Sequence, residues 1–504
     1  MTFSAATQIV RHELRLLARG HVAAIALALL CVTVSYAAWS GTSWRHEQVA
    51  TIHQLRERDE RLQKQIAHQL DELERLGDPH PNLQLAGMAW YIFQPAGAVA
   101  PAPHLDPRRA EAAASEWVGA PYVYLPPAPF SALAVGQSDL QPYYTRVTIR
   151  TRPILVHSDE IENPLNLLNG RFDLAFVMAF CWPILVLPLF YNVIAEDRET
   201  GTLALVASQP VSLRRIVSIR LAIRAGLVLA VTLTTSVAAL TLFGALESVS
   251  SADILAWSAI ALATTVFWSG LAAIVNLARW RAAVNAAVLM VAWVALVIVA
   301  PALLGELAAS WAPVPSRVQL INNVRQAGNL SASDLAGLVT AYYEAHPDAE
   351  RSDDSADVTA LRGLAQQDEV DRRIQPVLDA YHAASVRQQQ VADRLRFLSP
   401  PLLIYDAVAE LAGTTAARYR SFADQVDRYH AAWRGYFYPL VHARASLTMA
   451  DYDGAPRFSF QPEPRGRARV RAVLLAAVTG GIGLTLMAFA LRRAQAAHVL
   501  TEGP

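Results

Sequence analysis

Apolar and polar positions alternate along this chain in long blocks. Six apolar runs stand out, at 21–39, 172–191, 221–246, 253–277, 282–304 and 471–490. Each approaches or exceeds the roughly 20 residues that a helix needs to cross a bilayer. The first run is longer than the apolar part of an ordinary secretory signal, and an amphipathic segment precedes it, so it is expected to stay as a span. In that leading segment, residues 1–20, Ala6, Val10, Leu14 and Leu17 recur at helical spacing while Arg11, Arg15 and Arg19 fall on another side. This predicts a short helix lying at a membrane surface. Pro183 and Pro188 lie inside the second run, where each removes a donor and crowds the preceding turn, so a kink is expected there.

Between the runs lie two large polar insertions, 40–171 and 305–470, expected to fold together as one lobe. In the first, Ile52, Leu55, Leu62, Ile66, Leu73 and Leu76 keep a near-heptad rhythm among charged residues. A long amphipathic helix follows from that rhythm, paired with another helix of this chain or of a partner and stopped by Gly77-Asp78-Pro79. Residues 80–170 are rich in Pro, Tyr and Ala; Tyr143 to Arg150 reads as a strand and Asn163-Pro164 as a turn. In the second insertion, helical patterning over about 366–397 breaks before Pro400-Pro401 and resumes over about 403–437. The expected fold is therefore an all-α polytopic membrane protein with six transmembrane helices. Its extracytoplasmic domain is expected to be mainly helical α+β, made from the two insertions.

Composition agrees: 53% of residues are hydrophobic and 17% charged, against about 25% charged in soluble domains. Basic and acidic residues balance at 43 each, which gives no field directed at nucleic acid. Cys31 and Cys181 both lie in apolar runs and read as small buried residues. Arginine placement sets the orientation. Arg11, Arg15, Arg19, Arg198, Arg214, Arg215, Arg220, Arg224, Arg279, Arg281, Arg492 and Arg493 fall on one side, the cytoplasm by the positive-inside bias. Both termini then lie in the cytoplasm. Arg465, Arg467, Arg469 and Arg471 break the pattern at the edge of a long translocated segment.

Candidate chemistry is sparse. No Gly-rich phosphate loop ending in Gly-Lys-Ser/Thr is present, so ATP binding of the usual kind is not expected in this chain. No His-Glu-x-x-His pattern occurs, and His53 and His68 stand too far apart for a local chelate. Few ionisable groups fall at mid-depth in the runs, unlike a proton- or ion-driven carrier. That suits a transporter energised by another subunit, or a membrane anchor. The sharpest local signal is the charged turn Glu196-Asp197-Arg198-Glu199-Thr200-Gly201-Thr202-Leu203, in the 192–220 connection. It is suited to contact with a soluble partner at the membrane surface. Carboxylates that only favour a helix dipole are the plainer alternative.

Ile194 to Leu203, followed by Ser208-Gln209-Pro210-Val211-Ser212 and Arg214-Arg215, resembles the signature of permease subunits of type-2 ABC exporters. Phe397-Leu398-Ser399-Pro400-Pro401-Leu402-Leu403, then Leu411-Ala412-Gly413-Thr414, Arg420, Phe422, Tyr429 and Trp433, resembles a subgroup named for a domain of unknown function, DUF3526. That subgroup has two large extracytoplasmic insertions and is associated with copper-enzyme maturation, although no Cys/Met/His cluster here supports copper binding. The resemblance implies six spans and an ATPase-coupling helix carrying Glu196, Asp197, Arg198, Glu199, Gly201, Thr202 and Leu203. It implies ATP and Mg in a separate ABC ATPase subunit, present in two copies, and no catalytic residue, metal or cofactor in this chain. A second permease subunit, identical or paralogous, is implied, with membrane lipids around it and room for a periplasmic partner. The location implied is the bacterial inner membrane. The family often has Asp after the Gly-Thr pair, where this chain has Thr415. Leu398, Ser399, Pro400, Leu411, Gly413 and Thr414 read either as a joint between helices or as a substrate contact. The expected function is export or extraction of a substrate. The rival reading is a non-transporting subunit that passes ATPase-driven motion to a periplasmic complex.

Overall fold

The structure is a computed structural model, and it describes residues 2–76, 107–114, 119–149, 172–202, 212–278, 280–347 and 355–499. The Gly77-Asp78-Pro79 stop, the Asn163-Pro164 turn, Leu203, Ser208 to Val211 and Arg279 lie outside the described residues. Helix α1 spans Thr2–Arg19 and is followed at once by α2, His21–Leu76. The first apolar run and the charged heptad segment are therefore one helix rather than two elements. At ~1.5 Å per residue its 56 residues rise about 84 Å. That is more than twice a hydrocarbon core of roughly 30 Å, so α2 carries one end of the bundle continuously into the polar lobe.

Among the described residues, five helices are long and apolar enough to cross a membrane: His21–Asp71, Arg214–Leu242, Ser251–Leu277, Ala282–Trp311 and Arg465–Arg493. The run expected as the second of six spans forms a shorter apolar helix, α3, Leu174–Leu189. It rises only about 24 Å. Its two prolines give the reason. The helix widens to a π turn over Val177–Cys181 ahead of Pro183 and tightens to a 3-10 turn over Leu187–Leu189 around Pro188. Trp182, Met178 and Phe190 are buried, so α3 and its end sit among the other helices.

The short α4, Ala195–Glu199, follows, then α5, Leu213–Leu242, and α6, Ser251–Leu277. Helix α7, Ala282–Trp311, contains a second π turn, Val294–Val299, just before Pro301. The last helix, α14, is Arg465–Val499. Helices α6 and α14 touch backbone to backbone. A Cβ on Gly270 would lie 2.3 Å from the Gly483 carbonyl oxygen, and one on Gly483 would lie 2.5 Å from the Phe267 Cα. Small residues at that crossing let the helices gain dispersion contact without a hydrophobic drive. Indole donors tie other pairs: Trp182 Nε1 donates to Thr232 Oγ1 and Trp257 Nε1 to Ser236 Oγ, both at 3.0 Å.

The lobe contains α8 (Arg317–Ala327), α9 (Ala332–Ala345), α10 (Ser355–Leu395), α11 (Pro400–Ala412), α12 (Ala416–His442) and α13 (Met449–Gly454). Helices α8, α9 and α13 each begin with a capping box, Ser316/Gln319, Ser331/Asp334 and Thr448/Asp451. A two-stranded antiparallel sheet joins β1, Tyr122–Tyr124, to β2, Tyr144–Arg146, with Val123 opposite Thr145. One core draws on both insertions: Val123, Val147 and Ile149 pack with Leu364, Phe422, Val426 and Phe437. The heptad face of α2 finds its partner inside the chain, where Ile66 and Leu70 meet Met449 and Tyr452. Helix α11 instead belongs to the membrane-bundle core through Leu403, Ile404, Ala407 and Leu411. It is the joint between the two bodies.

Candidate functional site: the clamped acidic turn

The acidic turn is held at the end of the bundle by side chains from four helices. Asp197 pairs with Arg220, from the second turn of α5. Arg220 also donates to the Val193 carbonyl at 2.8 Å, and its Nε lies 3.5 Å from Glu13 Oε2. One helical turn on, Arg224 donates from Nε to Glu13 Oε1 at 2.6 Å and from Nη1 to Asn192 Oδ1 at 2.8 Å. Glu13, in α1, is fully buried, and both arginines are under 10% exposed. Two cations and two carboxylates thus close a balanced network, the condition under which charge tolerates leaving water.

The backbone leading into α4 is secured one carbonyl at a time. Arg224 takes Leu189 O, Asn276 takes Phe190 O, Asn285 takes Tyr191 O and Arg220 takes Val193 O, at 2.5, 2.7, 3.1 and 2.8 Å. A chain leaving a helix at Pro188 has carbonyls without intrahelical donors, and these side chains supply them. On the other flank, Arg198 Nη1 donates to Trp280 O at 3.2 Å, and Glu199 Oε1 accepts from Ala282 N, the first residue of α7, at 2.8 Å. A carboxylate there meets the positive end of the α7 dipole.

The motif therefore divides by direction. Asp197 faces the arginine network, and Arg198 and Glu199 grip the α6–α7 connection. Glu196 accepts from Asn192 Nδ2 at 2.8 Å and is exposed. Thr200, Gly201 and Thr202 are exposed as well, with Gly201 at φ +73°. What remains open to a partner is Glu196, the outer edge of Glu199 and the Thr200–Thr202 turn. Sequence reasoning missed Glu13, Asn192, Asn276 and Asn285. Glu13 had a signal, being the only carboxylate in the first 46 residues. Arg220 and Arg224, four residues apart in an apolar helix, were its matching pair.

The second candidate motif lies where α10 meets α11. Leu398 is 66% exposed, whereas Ser399 is fully buried and its hydroxyl donates to Leu296 O at 3.1 Å. That carbonyl is in the π turn of α7. The Ala300 N–H bonds Ala295 O, and Pro301 has no N–H to give, so Ser399 supplies the donor. Pro400 and Pro401 occupy the first turn of α11. Leu411 is buried in the bundle core, and Gly413 ends the helix at φ +72°. A Cβ on Gly413 would also meet the Ala128 Cβ at 2.8 Å. The Thr414 hydroxyl is buried with no partner among the described residues. Thr415 accepts from Arg418 N and starts α12, an N-cap role that Asp fills equally well. Within α11, burial pushes the Asp406 carboxyl up to about 6, with Arg396 at 3.4 Å only partly offsetting it. Among the described residues, no group of three or more His, Cys, Asp or Glu side chains comes together as a metal site.

Residues 317–461 match a family described as "Domain of unknown function (DUF3526)". The match runs from the start of α8 to beyond α13 and takes in the whole Leu398–Thr415 joint. No curated protein and no solved structure matches the chain.

Proposed function

We propose that this chain is the transmembrane permease subunit of an ATP-driven ABC transporter of the bacterial inner membrane, exporting or extracting a substrate, with both termini in the cytoplasm. ATP and Mg would be held by a separate ABC ATPase subunit in two copies. A second permease, identical or paralogous, would complete the path. The observation that carries this reading is the two-sidedness of the acidic turn. Its inner side chains are fastened to α1, α5, α6 and α7, and its outer ones are free to meet a partner. A push on Glu196 to Thr202 would pass through Arg220 and Arg224 into α5, and through Asn276, Asn285 and Glu199 into α6 and α7.

Pairing on the far side of the bundle supports the proposed orientation. Arg465 and Arg469 lie 3.3 and 3.5 Å from the buried Asp253, and Arg471 lies within 3.0 Å of both Glu410 and Glu463. Three of the four arginines that break the positive-inside pattern are thereby neutralised. The continuous α2 favours a second reading, in which the chain passes ATPase motion to a periplasmic complex without moving a substrate. Purification of the full chain with the products of its neighbouring genes tests the base of both readings. An ATPase activity should co-purify with the wild type and be lost with Glu196→Lys. If no ATPase accompanies either form, both readings fail.

A further inference from the structure

The turn between α10 and α11 reaches deeper into the bundle than a surface loop would. Ser399 donates to the Leu296 carbonyl at 3.1 Å, and Leu296 lies midway along the 30-residue α7. That carbonyl stands about 21 Å along the axis from Ala282, well inside a hydrocarbon core of roughly 30 Å. Helix α14 gives a second gauge of depth. Glu410, near the end of α11, pairs with Arg471 at 3.0 Å, where the apolar part of α14 begins. Helix α11 packs along α14 through Ala472, Leu475 and Ala476. At ~1.5 Å per residue, Pro400 then lies about 15 Å further in than Glu410. Helix α10 comes down beside the second half of α7, turns over Arg396–Leu398, and α11 goes back up. The chain enters and leaves the bilayer from the lobe side.

Phe397 and Leu398 form the tip of this excursion and are 48% and 66% exposed. Exposed apolar side chains in water need no explanation, but at this depth the medium beside them is acyl chain. Through Ser399 the tip adjoins α7, whose Val291, Ile298 and Leu303 are bare as well. The charges nearby are placed as a bilayer requires. Arg396 lies 3.3 Å from Asp393 and 3.4 Å from Asp406, so its charge does not enter alone. Arg394, one turn above the tip, is exposed, and its stem is long enough to carry the guanidinium toward the headgroups.

We propose that Arg396 to Ala412 form a re-entrant element whose Phe397–Leu398 tip is embedded among lipid acyl chains of the lobe-side leaflet, with Ser399 pinning it to the π turn of α7. The Leu398–Pro400 part of the motif then anchors the lobe to the bilayer and touches lipid, not a transported substrate. This inference rests on the apolar, membrane-crossing character of α7 and α14 and is independent of the acidic turn.

The test uses the full chain in phospholipid liposomes, with Cys31→Ser, Cys181→Ser and Leu398→Cys carrying a nitroxide label. Collision with oxygen, which concentrates in hydrocarbon, is compared with collision with a nickel chelate, which stays in water. Val291→Cys, on the bare face of α7, gives the lipid reference. Arg387→Cys, exposed on α10 about 16 Å above the tip, gives the aqueous one. The oxygen-to-nickel ratio at 398 should match that at 291 and exceed that at 387 severalfold. Phe397→Cys repeats the reading on an independent variant. Ratios at 397 and 398 equal to that at 387 would put the tip in water and overturn the proposal. Shielding of both positions from both reagents overturns it too, because a protein surface then covers the tip.

Discussion

Glu13→Gln tests the clamp at its least expendable point. The substitution keeps size and one acceptor but leaves Arg220 and Arg224 facing a single carboxylate, Asp197. A unit-charge contact near 4 Å at an effective dielectric of about 20 is worth roughly 4 kcal/mol. Removing one partner of a buried pair costs about 3–5 kcal/mol. The glutamine oxygen still accepts from Arg224, and a nearby aqueous surface offsets part of the rest, so a net loss of about 2–3 kcal/mol is expected. That is a large share of a stability that is commonly about 5–15 kcal/mol. In detergent the melting temperature should fall by roughly 4–12 °C, taking about 2–4 °C per kcal/mol for a sizeable domain. Glu306→Gln, at an exposed position on α7, serves as control and should shift it by less than about 1 °C. A double-mutant cycle with Arg224→Gln should return a coupling of about 1–3 kcal/mol. An unchanged melting temperature with zero coupling would show that the network does not hold the turn.

Three further outcomes follow from geometry elsewhere. Gly483→Leu drives a side chain into the Phe267 backbone and should separate α6 from α14, costing about 3 kcal/mol or more and reducing recovery of folded protein from membranes; recovery at wild-type level would refute that contact. Ser399→Ala orphans the Leu296 carbonyl beside Pro301 and should cost about 1–2 kcal/mol, while Ser399→Thr should retain part of the loss, both read by thermal unfolding. Asp406 has a folded pKa raised to about 6 against roughly 3.9 when unfolded. Its protonated form is favoured by folding, so its contribution is complete below about pH 4 and is lost as pH rises through 6. The wild type should therefore lose about 2 kcal/mol more than Asp406→Asn between pH 4 and pH 7.5; parallel pH profiles would contradict this.

Much of the architecture was legible because each apolar run is long and its breaks are chemical. The Pro400-Pro401 break, the strand near Tyr144 and the amphipathic rhythm of α2 all follow from local rules. The continuity of α2 was not legible. Its composition changes from apolar to charged near Trp44 without a helix-breaking pair, and composition alone cannot tell one helix from two. The form of α3 was half legible: Pro183 and Pro188 foretold a bend, but not that π and 3-10 turns would shorten the helix to Leu174–Leu189. At the acidic turn, the sequence exposed the residues close to one another and hid those contributed from afar. Glu13 lies more than 180 positions before Asp197, and Asn276 and Asn285 look like ordinary polar residues at helix ends until the carbonyls of Phe190 and Tyr191 arrive beside them.

The proposed role of the acidic turn is to dock an ATPase on its exposed edge. A photo-crosslinking amino acid placed at position 196 of the full chain, in native membranes, tests it most directly, with position 248 on the opposite side of the bundle as reference. The account predicts a crosslink from 196 to a nucleotide-binding polypeptide, weakened when Glu13→Gln loosens the clamp, and none from 248. A crosslink to such a polypeptide from 248 alone, or from neither position, would contradict it.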